Sequence, residues 1–464
     1  MSEQMMGKKQ MRYALDDVPR PPALVGLGLQ HVLTMFGATI AVPLLLGAAM
    51  DASPGEQALL VSSVMIASGI ATFLQVRIGT RLPLIQGVSF AFLGPFFAIV
   101  AVRPEGVTDA MPAIAGAIMA GALVPMILGY STLFGKVRNL VSPVVIGPVI
   151  ALIGLALFDA ASDQAGADWG LASVTIALGI LFNLVLATKF RFFSLFPILL
   201  AVIASYAFAL ALTSAGVYGD GHASAVSFDG VADAPWLRDP STLIFPWGTP
   251  EFVPGFIIGA LAGFLASMIE SFGDYFAVGQ ASGAGEPTEA QVNRGIGAEG
   301  LGSFITGLLG GFSSTSYTEN IGLVGLTRVA SRAVVYVAAA ALVVIGLVTK
   351  AAAVIATLPG PVVGGLYCLL FGLIAAIGIT QSTRADLTSQ RNLMIMGFIL
   401  FMGLVLPHYF AQNQDLVITG VDTLDGIIHT IGSTGMAVAA IFGLVLDNVI
   451  PGTREERGLT TPPA

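Results

Sequence analysis

The sequence contains little charge and a single cysteine. Charged residues make up 10% of its 464 residues, and Cys368 is its one cysteine. Soluble globular domains carry about 25% charged residues, so this composition excludes an ordinary soluble domain. One cysteine excludes an internal disulfide and a thiolate-bound metal cluster. The net charge is -8, and the sequence has no cluster of basic residues, so a nucleic-acid partner is not expected.

Long hydrophobic stretches are abundant in the sequence. Hydrophobic residues make up 55% of it, and its mean hydropathy is +0.86. Many stretches of about 20 residues are almost free of charge, the length that a helix needs to cross about 30 Å of hydrocarbon. We expect an all-α polytopic protein with 14 transmembrane segments in a lipid bilayer. The polar start has no apolar core with a small-residue cleavage site, so a cleaved signal peptide is not expected.

The basic residues fall on alternate loops if the N-terminus is cytoplasmic. All 20 Lys and Arg residues except Arg103, Arg238 and Lys350 then lie on the inner side, as the positive-inside rule requires. With an even number of spans, both termini are expected to be cytoplasmic. The inner or plasma membrane of the cell is the expected location.

Two stretches of the chain repeat each other. SPVVIGPVIALIGLALF (142–158) and GPVVGGLYCLLFGLIAA (360–376) share Pro-Val-Val and then Gly, Leu, Gly and Leu in register. They correspond to spans five and twelve, which predicts two repeats of seven spans. A repeat with an odd number of spans must be inverted in the membrane, as in many secondary transporters.

The third and tenth spans are short and interrupted by polar residues. QGVSFAFLGPF (86–96) and TSYTENIG (315–322) carry this polarity. Irregular backbone inside a membrane is tolerated only where protein buries it or a cavity lines it. We therefore expect two short antiparallel strands in these spans, followed by half-helices whose N-termini point at a shared binding space. Phe90 and Tyr317 would either stack on a planar ligand there or pack against protein.

Three carboxylates within predicted spans are candidate functional groups. Glu270 and Asp274 are four residues apart and share one helical face, and Glu319 lies in the tenth span. A carboxylate at a span centre costs at least about 2.5 kcal/mol, which favours function over a structural hydrogen bond, although Asp274 could orient a neighbour. Low dielectric and a second carboxylate favour the protonated form, so we expect proton coupling.

His31 lies near the middle of the first span, beside Gln30. It is either a hydrogen-bonding residue in the packing or a proton carrier. The third and tenth segments have no HExxH, CxxC or GxSxG pattern, so neither a zinc hydrolase nor a serine esterase is indicated. We expect no enzyme, no metal site and no cofactor beyond a coupling proton, with sodium as the other possible coupling ion.

A signature motif lies in the tenth span. Glu319-Asn320-Ile321-Gly322, four residues and then Thr327-Arg328 resemble the pattern [Gln/Glu/Pro]-Asn-x-Gly-x4-Thr-[Lys/Arg/Gly] of the nucleobase/ascorbate transporter family. Gln30-His31, SFAF (89–92), the helix with Glu270 and Asp274, and NRGIGAEG (293–300) are similar to further family landmarks in the same order. The resemblance covers nearly the whole chain.

The resemblance implies a domain organisation. Residues 24–138 and 251–358 would form a core domain of spans 1–4 and 8–11. Residues 139–250, which include an extracytoplasmic loop, and 359–450 would form a gate domain of spans 5–7 and 12–14. Tails 1–23 and 451–464 would be cytoplasmic. Substrate would bind between the core domain and the gate domain, and the protein would form a homodimer. We expect loop 216–250 to be a connector rather than a lid.

The resemblance also implies roles for individual residues. Glu270 and Glu319 would hydrogen-bond a nucleobase ring, and Phe90 would pack against it. The neighbouring motif residues Ser89, Tyr317, Thr318 and Asn320 would complete the substrate site. Thr318 stands where uracil permeases commonly have Gly. Asp274 and His31 would take part in proton coupling.

The motifs point to more than one substrate. Glu319 resembles uracil permeases, where xanthine and urate carriers usually have Gln and vertebrate ascorbate carriers have Pro. IESFGDYFA and NRGIGAEGLGS are closer to purine or ascorbate members. The preferred interpretation is a proton-coupled nucleobase importer with an elevator-like mechanism, for uracil first and a xanthine-type purine second. The alternatives are sodium-coupled ascorbate uptake, and an anion exchanger or channel on the same fold.

Overall fold

The computed structural model describes residues 11–134, 140–219, 221–413 and 416–459. Three predictions fall partly outside these ranges. They concern the first ten residues of the N-terminal tail, the core–gate boundary at 138–139 and the last five residues of the C-terminal tail.

The described residues form α-helices and one pair of short strands. The strands are β1 (Gln86–Val88) and β2 (Ser314–Ser316). The helices are α1 (Pro21–Ala49), α2 (Pro54–Arg77), α3 (Leu93–Val102), α4 (Val107–Tyr130), α5 (Pro143–Leu155), α6 (Phe158–Gly166), α7 (Trp169–Ile180), α8 (Ala187–Lys189), α9 (Arg191–Leu195), α10 (Pro197–Ser214), α11 (Asp229–Asp233), α12 (Pro254–Ala281), α13 (Glu289–Leu308), α14 (Thr318–Thr327), α15 (Arg332–Leu347), α16 (Thr349–Ala356), α17 (Gly360–Ser382), α18 (Gln390–Gln412), α19 (Asp422–Gly432) and α20 (Gly435–Val449).

Nine helices within the described ranges are long and apolar enough to cross a membrane, when α5 with α6 and α7 with α8 each count as one. The number rises to eleven if two bent pairs, α15 with α16 and α19 with α20, are each one span. The chain is therefore a multi-pass membrane protein. Length and apolar composition alone do not reach the 14 expected segments, partly because α3 and α14 have ten residues each and are too short to cross alone.

The sequence marks the starts of several helices. Ser53 and Glu56 form a capping box at the start of α2, and Thr288 and Gln291 form another at the start of α13. Each box satisfies backbone N–H groups that have no partner in the first helical turn. Proline occupies the first turn of α1, α2, α5, α10 and α12, where its missing N–H carries no penalty.

β1 and β2 lie side by side in the interior and are antiparallel. Gln86 pairs with Ser316, Gly87 with Thr315 and Val88 with Ser314. All six residues are buried. The strands therefore satisfy each other's backbone groups where water is excluded. β1 leads through a 3-10 turn into α3, and β2 leads directly into α14.

Glycines let pairs of helices approach backbone to backbone. A Cβ added to Gly129 of α4 would lie 2.3 Å from the backbone nitrogen of Gly297 in α13. A Cβ added to Gly378 of α17 would lie 2.2 Å from the backbone nitrogen of Ala151 in α5. Small residues at such crossings are how membrane helices gain close packing. α5 and α17, which carry the repeated sequence, thus pack against each other.

The long loop between α10 and α12 is held at several points along its length. Near its start, the Ser224 hydroxyl donates to Asp168, just before α7. Further along, Arg238 is 5% exposed and donates to the hydroxyls of Ser62 and Ser63 at 3.0 Å. Trp247 Nε1 donates to the Gly310 carbonyl at 3.0 Å. The loop predicted to be a connector is therefore fastened to α7 at one end and to α2 and the β2 approach at the other.

Candidate substrate site

α12 brings two of the predicted carboxylates to the strand pair. Glu270 and Asp274 lie on this one helix, which confirms the predicted helical spacing. Ser271 lies between them and faces β2, where its hydroxyl donates to Ser316 Oγ at 2.9 Å and accepts from the Ser316 N–H at 3.2 Å. The Thr315 hydroxyl donates to Glu270 Oε2 at 3.5 Å. The carboxylate face of α12 is therefore packed against β2.

The third carboxylate belongs to the helix that begins after β2. Glu319 lies in the first turn of α14 and is exposed. A helix N-terminus carries partial positive charge, so it favours a carboxylate there. Thr315 in β2 hydrogen-bonds Glu270, and Glu319 lies four residues further along the chain. Thr318, the first residue of α14, donates its hydroxyl to Asp274 Oδ1 at 3.0 Å and to Oδ2 at 3.2 Å. Three carboxylates thus meet at the start of α14.

His31 and Asn320 form a buried pair between α1 and α14. They are 2% and 1% exposed. Asn320 Nδ2 lies 3.1 Å from His31 Nδ1 and donates to the His31 carbonyl at 3.0 Å. The pair fastens α14 to α1. Asn320 was predicted to contact substrate, and its amide nitrogen is occupied by His31.

Tyr317 and Ser89 are also directed into protein. The Tyr317 hydroxyl donates to the Val88 carbonyl at 2.9 Å and accepts from the Thr39 hydroxyl at 3.3 Å. The Ser89 hydroxyl accepts from the Ala91 N–H at 3.2 Å and so caps the 3-10 turn after β1. Both residues are buried. In this structure they hold the strand pair in place, and the substrate contacts predicted for them remain predictions.

Phe90 faces α17, across from the strands. It is half-buried, and its ring meets Phe371 edge-on with centroids 5.9 Å apart. Phe371 in turn stacks on Tyr367 at 5.3 Å and 7°, and the Tyr367 hydroxyl donates to the Ala41 carbonyl. Phe371 and Tyr367 were not predicted to lie near Phe90, because aromatic residues in an apolar helix carry no distinguishing pattern.

A fourth carboxylate, Glu299 of α13, lies behind α12. It is 3% exposed, accepts a hydrogen bond from the Ser267 hydroxyl and accepts another from the Tyr275 hydroxyl at 3.4 Å. In the sequence it belongs to the landmark NRGIGAEG, and no separate role was predicted for it. The signal that singles it out is the same as for Glu270, a carboxylate within an otherwise apolar segment.

Open space borders the carboxylates. A Cβ added to Gly273 on α12, or to Gly322 or Gly325 on α14, would meet no atom within 4 Å. Among the described residues, Gln86 Oε1 and Asn320 Oδ1 are buried without a hydrogen-bond partner. Buried polar atoms usually have partners, so these two oxygens could accept hydrogen bonds from a solute or from water beside the strands.

A larger cavity lies toward the other end of the same helices. Its volume is about 1180 Å³, and it runs from Gly94 at the start of α3 to the start of α12 and the ends of α5 and α18. Neither Glu270 nor Glu319 lines it. We place the candidate site at the strands, because the carboxylates lie there beside the N-terminus of α14. No group of three or more His, Cys, Asp or Glu within the described ranges is arranged to hold a metal ion.

The broken segments at the centre of a multi-pass helical protein are typical of a secondary transporter. Residues 22–412 match the family model Xan_ur_permease, described as Permease family. Solute carrier family 23 member 2 of Mus musculus is 38% identical over 97% of this chain and 76% of its own length. Nucleobase-ascorbate transporter 1 of Arabidopsis thaliana is 34% identical over 97% of this chain and 92% of its own. The chain therefore belongs to the nucleobase/ascorbate transporter family, is a transporter and is not an enzyme.

Solved structures share the fold at low sequence identity. The transmembrane domain of the cyanobacterial bicarbonate transporter BicA matches with a TM-score of 0.55 and 16% identity, over 84% of this chain and 97% of that domain. Murine Slc26a9, an anion transporter in the inward-facing state, matches with a TM-score of 0.62 and 12% identity, over 94% of this chain and 69% of its own. At these identities the likeness concerns the fold alone.

Proposed function

We propose that this transporter imports a nucleobase together with a proton, with uracil preferred and a xanthine-type purine second. The observation that carries the proposal is the placement of Glu270 on α12 against β2 and of Glu319 in the first turn of α14, the helix that follows β2. The two carboxylates can accept hydrogen bonds from a solute, and the free backbone N–H groups at the start of α14 can donate them.

The chemistry of a nucleobase fits this arrangement. Uracil and xanthine are flat lactam rings with N–H donors and carbonyl acceptors. Carboxylates accept from ring N–H groups in charge-assisted hydrogen bonds, and the backbone N–H groups at the start of α14 can donate to ring carbonyls. Phe90, half-buried and directed at α17, would cover one ring face.

Coupling follows if the proton and the base stabilise the same state of the protein. Asp274 is the candidate proton acceptor, because its carboxylate touches Thr318 at the start of α14. A proton arriving at Asp274 would change that contact and with it the position of Glu319. His31 is the second candidate, through its bond to Asn320 on the same helix.

We further propose the full architecture expected from the family. The β1–α3 and β2–α14 segments, together with α13 and the two bent pairs, would complete 14 segments in two inverted repeats. The core (24–138 and 251–358) would move against the gate (139–250 and 359–450) in an elevator-like shift. The protein would be a homodimer in the inner or plasma membrane, with both termini cytoplasmic.

Sodium-coupled ascorbate uptake is the second candidate. It is supported by similarity to a plant relative whose name includes ascorbate. Ascorbate is an anion at neutral pH, and the clustered carboxylates would repel it unless a cation compensated. In an anion exchanger on the same fold, the carboxylates would also repel the anion, and no coupled cation would compensate their charge.

Equilibrium binding to the purified protein tests the substrate class. Binding of radiolabelled uracil, xanthine and ascorbate would be measured with and without sodium, for wild type, Glu270→Gln and the exposed loop control Glu286→Gln. We expect sodium-independent uracil binding that weakens about tenfold to a hundredfold in Glu270→Gln, as for a lost hydrogen bond to a charged group, and is unchanged in Glu286→Gln. Ascorbate binding that requires sodium, with no binding of either base, would contradict the proposal.

A further inference from the structure

A second polar cavity lies away from the candidate substrate site, between the end of α2 and the start of α15. Its volume is about 330 Å³, and three of its six lining residues are arginines. The lining residues are Val76, Arg77, Ile78, Arg81, Arg332 and Tyr336. None of them belongs to the carboxylate site, and the transport mechanism proposed above does not use them.

The positive charge of this cavity is largely uncompensated. Arg77 and Arg81 are exposed, and neither forms an ion pair or a side-chain hydrogen bond with another described residue. Arg332 pairs with Asp16, whose side chain is 84% exposed. Guanidinium groups bind phosphate oxygens through paired hydrogen bonds, so the cavity has the donors for a phosphate group.

A helix end adds to the same charge. α15 has 16 residues and begins at Arg332, whose N–H donates to the Leu15 carbonyl at 3.0 Å, and the preceding Ser331 makes no side-chain hydrogen bond to its first turn. The partial positive charge of this N-terminus lies beside the guanidinium groups and favours an anion.

Apolar rings lie one helical turn from the arginines. Phe73, four residues before Arg77 on α2, is 48% exposed. Its ring meets that of Tyr336 on α15 with centroids 5.6 Å apart. The cavity therefore has cationic groups at the helix ends and an exposed apolar surface next to them along the span. A free phosphate would contact the arginines alone, whereas a phospholipid would contact both surfaces.

We propose that this cavity binds an anionic phospholipid, with its phosphate on Arg77, Arg81 and Arg332 and an acyl chain along Phe73. The cavity lies at the end of the helices that we assign to the cytoplasmic side. Basic pockets between spanning helices at that side bind anionic headgroups.

The N-terminal segment places a carboxylate, Asp16, where it competes with the lipid phosphate for Arg332. The Arg12 N–H donates to the Arg328 carbonyl at 2.8 Å, and Tyr13 pairs with Val329. This pairing carries Asp16 onto Arg332. The Asp16 carboxylate neutralises part of the charge that the headgroup would meet, so Asp16→Asn is expected to strengthen lipid binding.

Native mass spectrometry of the purified full-length protein tests the proposal. Phosphatidylglycerol would be titrated against wild type, the double variant Arg77→Gln/Arg81→Gln, and Asp16→Asn. The control Lys189→Gln/Arg191→Gln removes two exposed charges elsewhere. We expect an affinity about fivefold weaker for each cavity arginine removed, tighter binding in Asp16→Asn, and no change in the control.

Two further arms separate the possible ligands. Phosphatidylcholine should bind weakly, with the same affinity for wild type and for the double variant. Millimolar inorganic phosphate should displace little phosphatidylglycerol from wild type. Equal binding of phosphatidylglycerol by wild type and the double variant would overturn the proposal. Full displacement by inorganic phosphate would also overturn it, since it would assign the cavity to a free anion.

Discussion

The hydroxyl of Thr318 donates to both carboxylate oxygens of Asp274, at 3.0 and 3.2 Å. This contact joins α14, which carries Glu319, to α12, which carries Glu270. Thr318 is therefore a direct side-chain connection between Asp274 and the start of α14. Thr318, which stands where uracil permeases commonly have Gly, thus has Asp274 as its partner.

Replacing Thr318 tests this contact. Thr318→Ala removes the hydrogen bond that the one hydroxyl proton shares between the two Asp274 oxygens, worth about 1.5–3 kcal/mol when one partner is charged. We expect proton-driven uptake to fall at least about tenfold, while Thr318→Ser, which keeps the hydroxyl, retains most of it. Uptake rates in proteoliposomes decide this. Equal activity of the Ala and Ser variants would show that the hydroxyl is not needed for coupling.

Glu299 offers a test of stability behind the site. Its carboxylate accepts from Ser267 and Tyr275. Glu299→Ala leaves two buried hydroxyls without an acceptor, each costing about 1–3 kcal/mol, so the thermal midpoint in detergent should drop clearly. Glu299→Gln keeps one acceptor oxygen and should lie between wild type and Ala. An Ala variant as stable as wild type would contradict the packing described for this residue.

Gly378 and Gly26 are both helical glycines, one in close packing and one in open space. A Cβ at Gly378 would lie 2.2 Å from the Ala151 backbone, whereas a Cβ at Gly26 meets nothing within 4 Å. Gly378→Ala should destabilise the protein by about 3 kcal/mol or more, because the clash is with backbone. Gly26→Ala should be neutral or slightly stabilising. Thermal unfolding in detergent compares them, and similar midpoints would contradict the close packing of α5 and α17.

Asp168, which holds the loop between α10 and α12 through Ser224, should make the protection of this loop depend on pH. The Ser224 hydroxyl, followed by the backbone N–H groups of Leu171 and Gly170, lowers the pKa of Asp168. A carboxyl with a lowered pKa contributes stability above its ordinary pKa of about 4, and that contribution is lost as the pH falls below it. Proteolysis of the loop should therefore accelerate in acid for wild type, and already be fast at neutral pH for Asp168→Ala. An Asp168→Ala loop as protected as wild type at neutral pH would exclude this anchor.

Much of the helical plan was readable from the sequence. The helix expected to carry Glu270 and Asp274 is α12, Pro254–Ala281, because an apolar stretch of about 20 residues satisfies its own backbone groups in lipid as a helix. The polar interruptions at 86–96 and 315–322 contain β1, the end of β2 and the starts of α3 and α14. Polar residues in an apolar run were the signal in both places.

The contacts between distant parts of the chain could not be read in the same way. Thr318 with Asp274, Asn320 with His31, and Arg238 with Ser62 join residues that are far apart in sequence. Local pattern fixes which face of a helix is polar, but not which side chain meets it from another helix. The bends between α15 and α16 and between α19 and α20, of 79° and 95°, likewise depend on tertiary packing.

The central claim is that Glu319 helps to recognise a nucleobase during proton-coupled import. Uptake of radiolabelled uracil into proteoliposomes, with and without an inward proton gradient, tests it most directly for wild type and Glu319→Gln. We predict uracil uptake that follows the proton gradient in wild type and collapses in the variant. Uptake unaffected by the gradient, or a Glu319→Gln variant that transports uracil as well as wild type does, would contradict the claim.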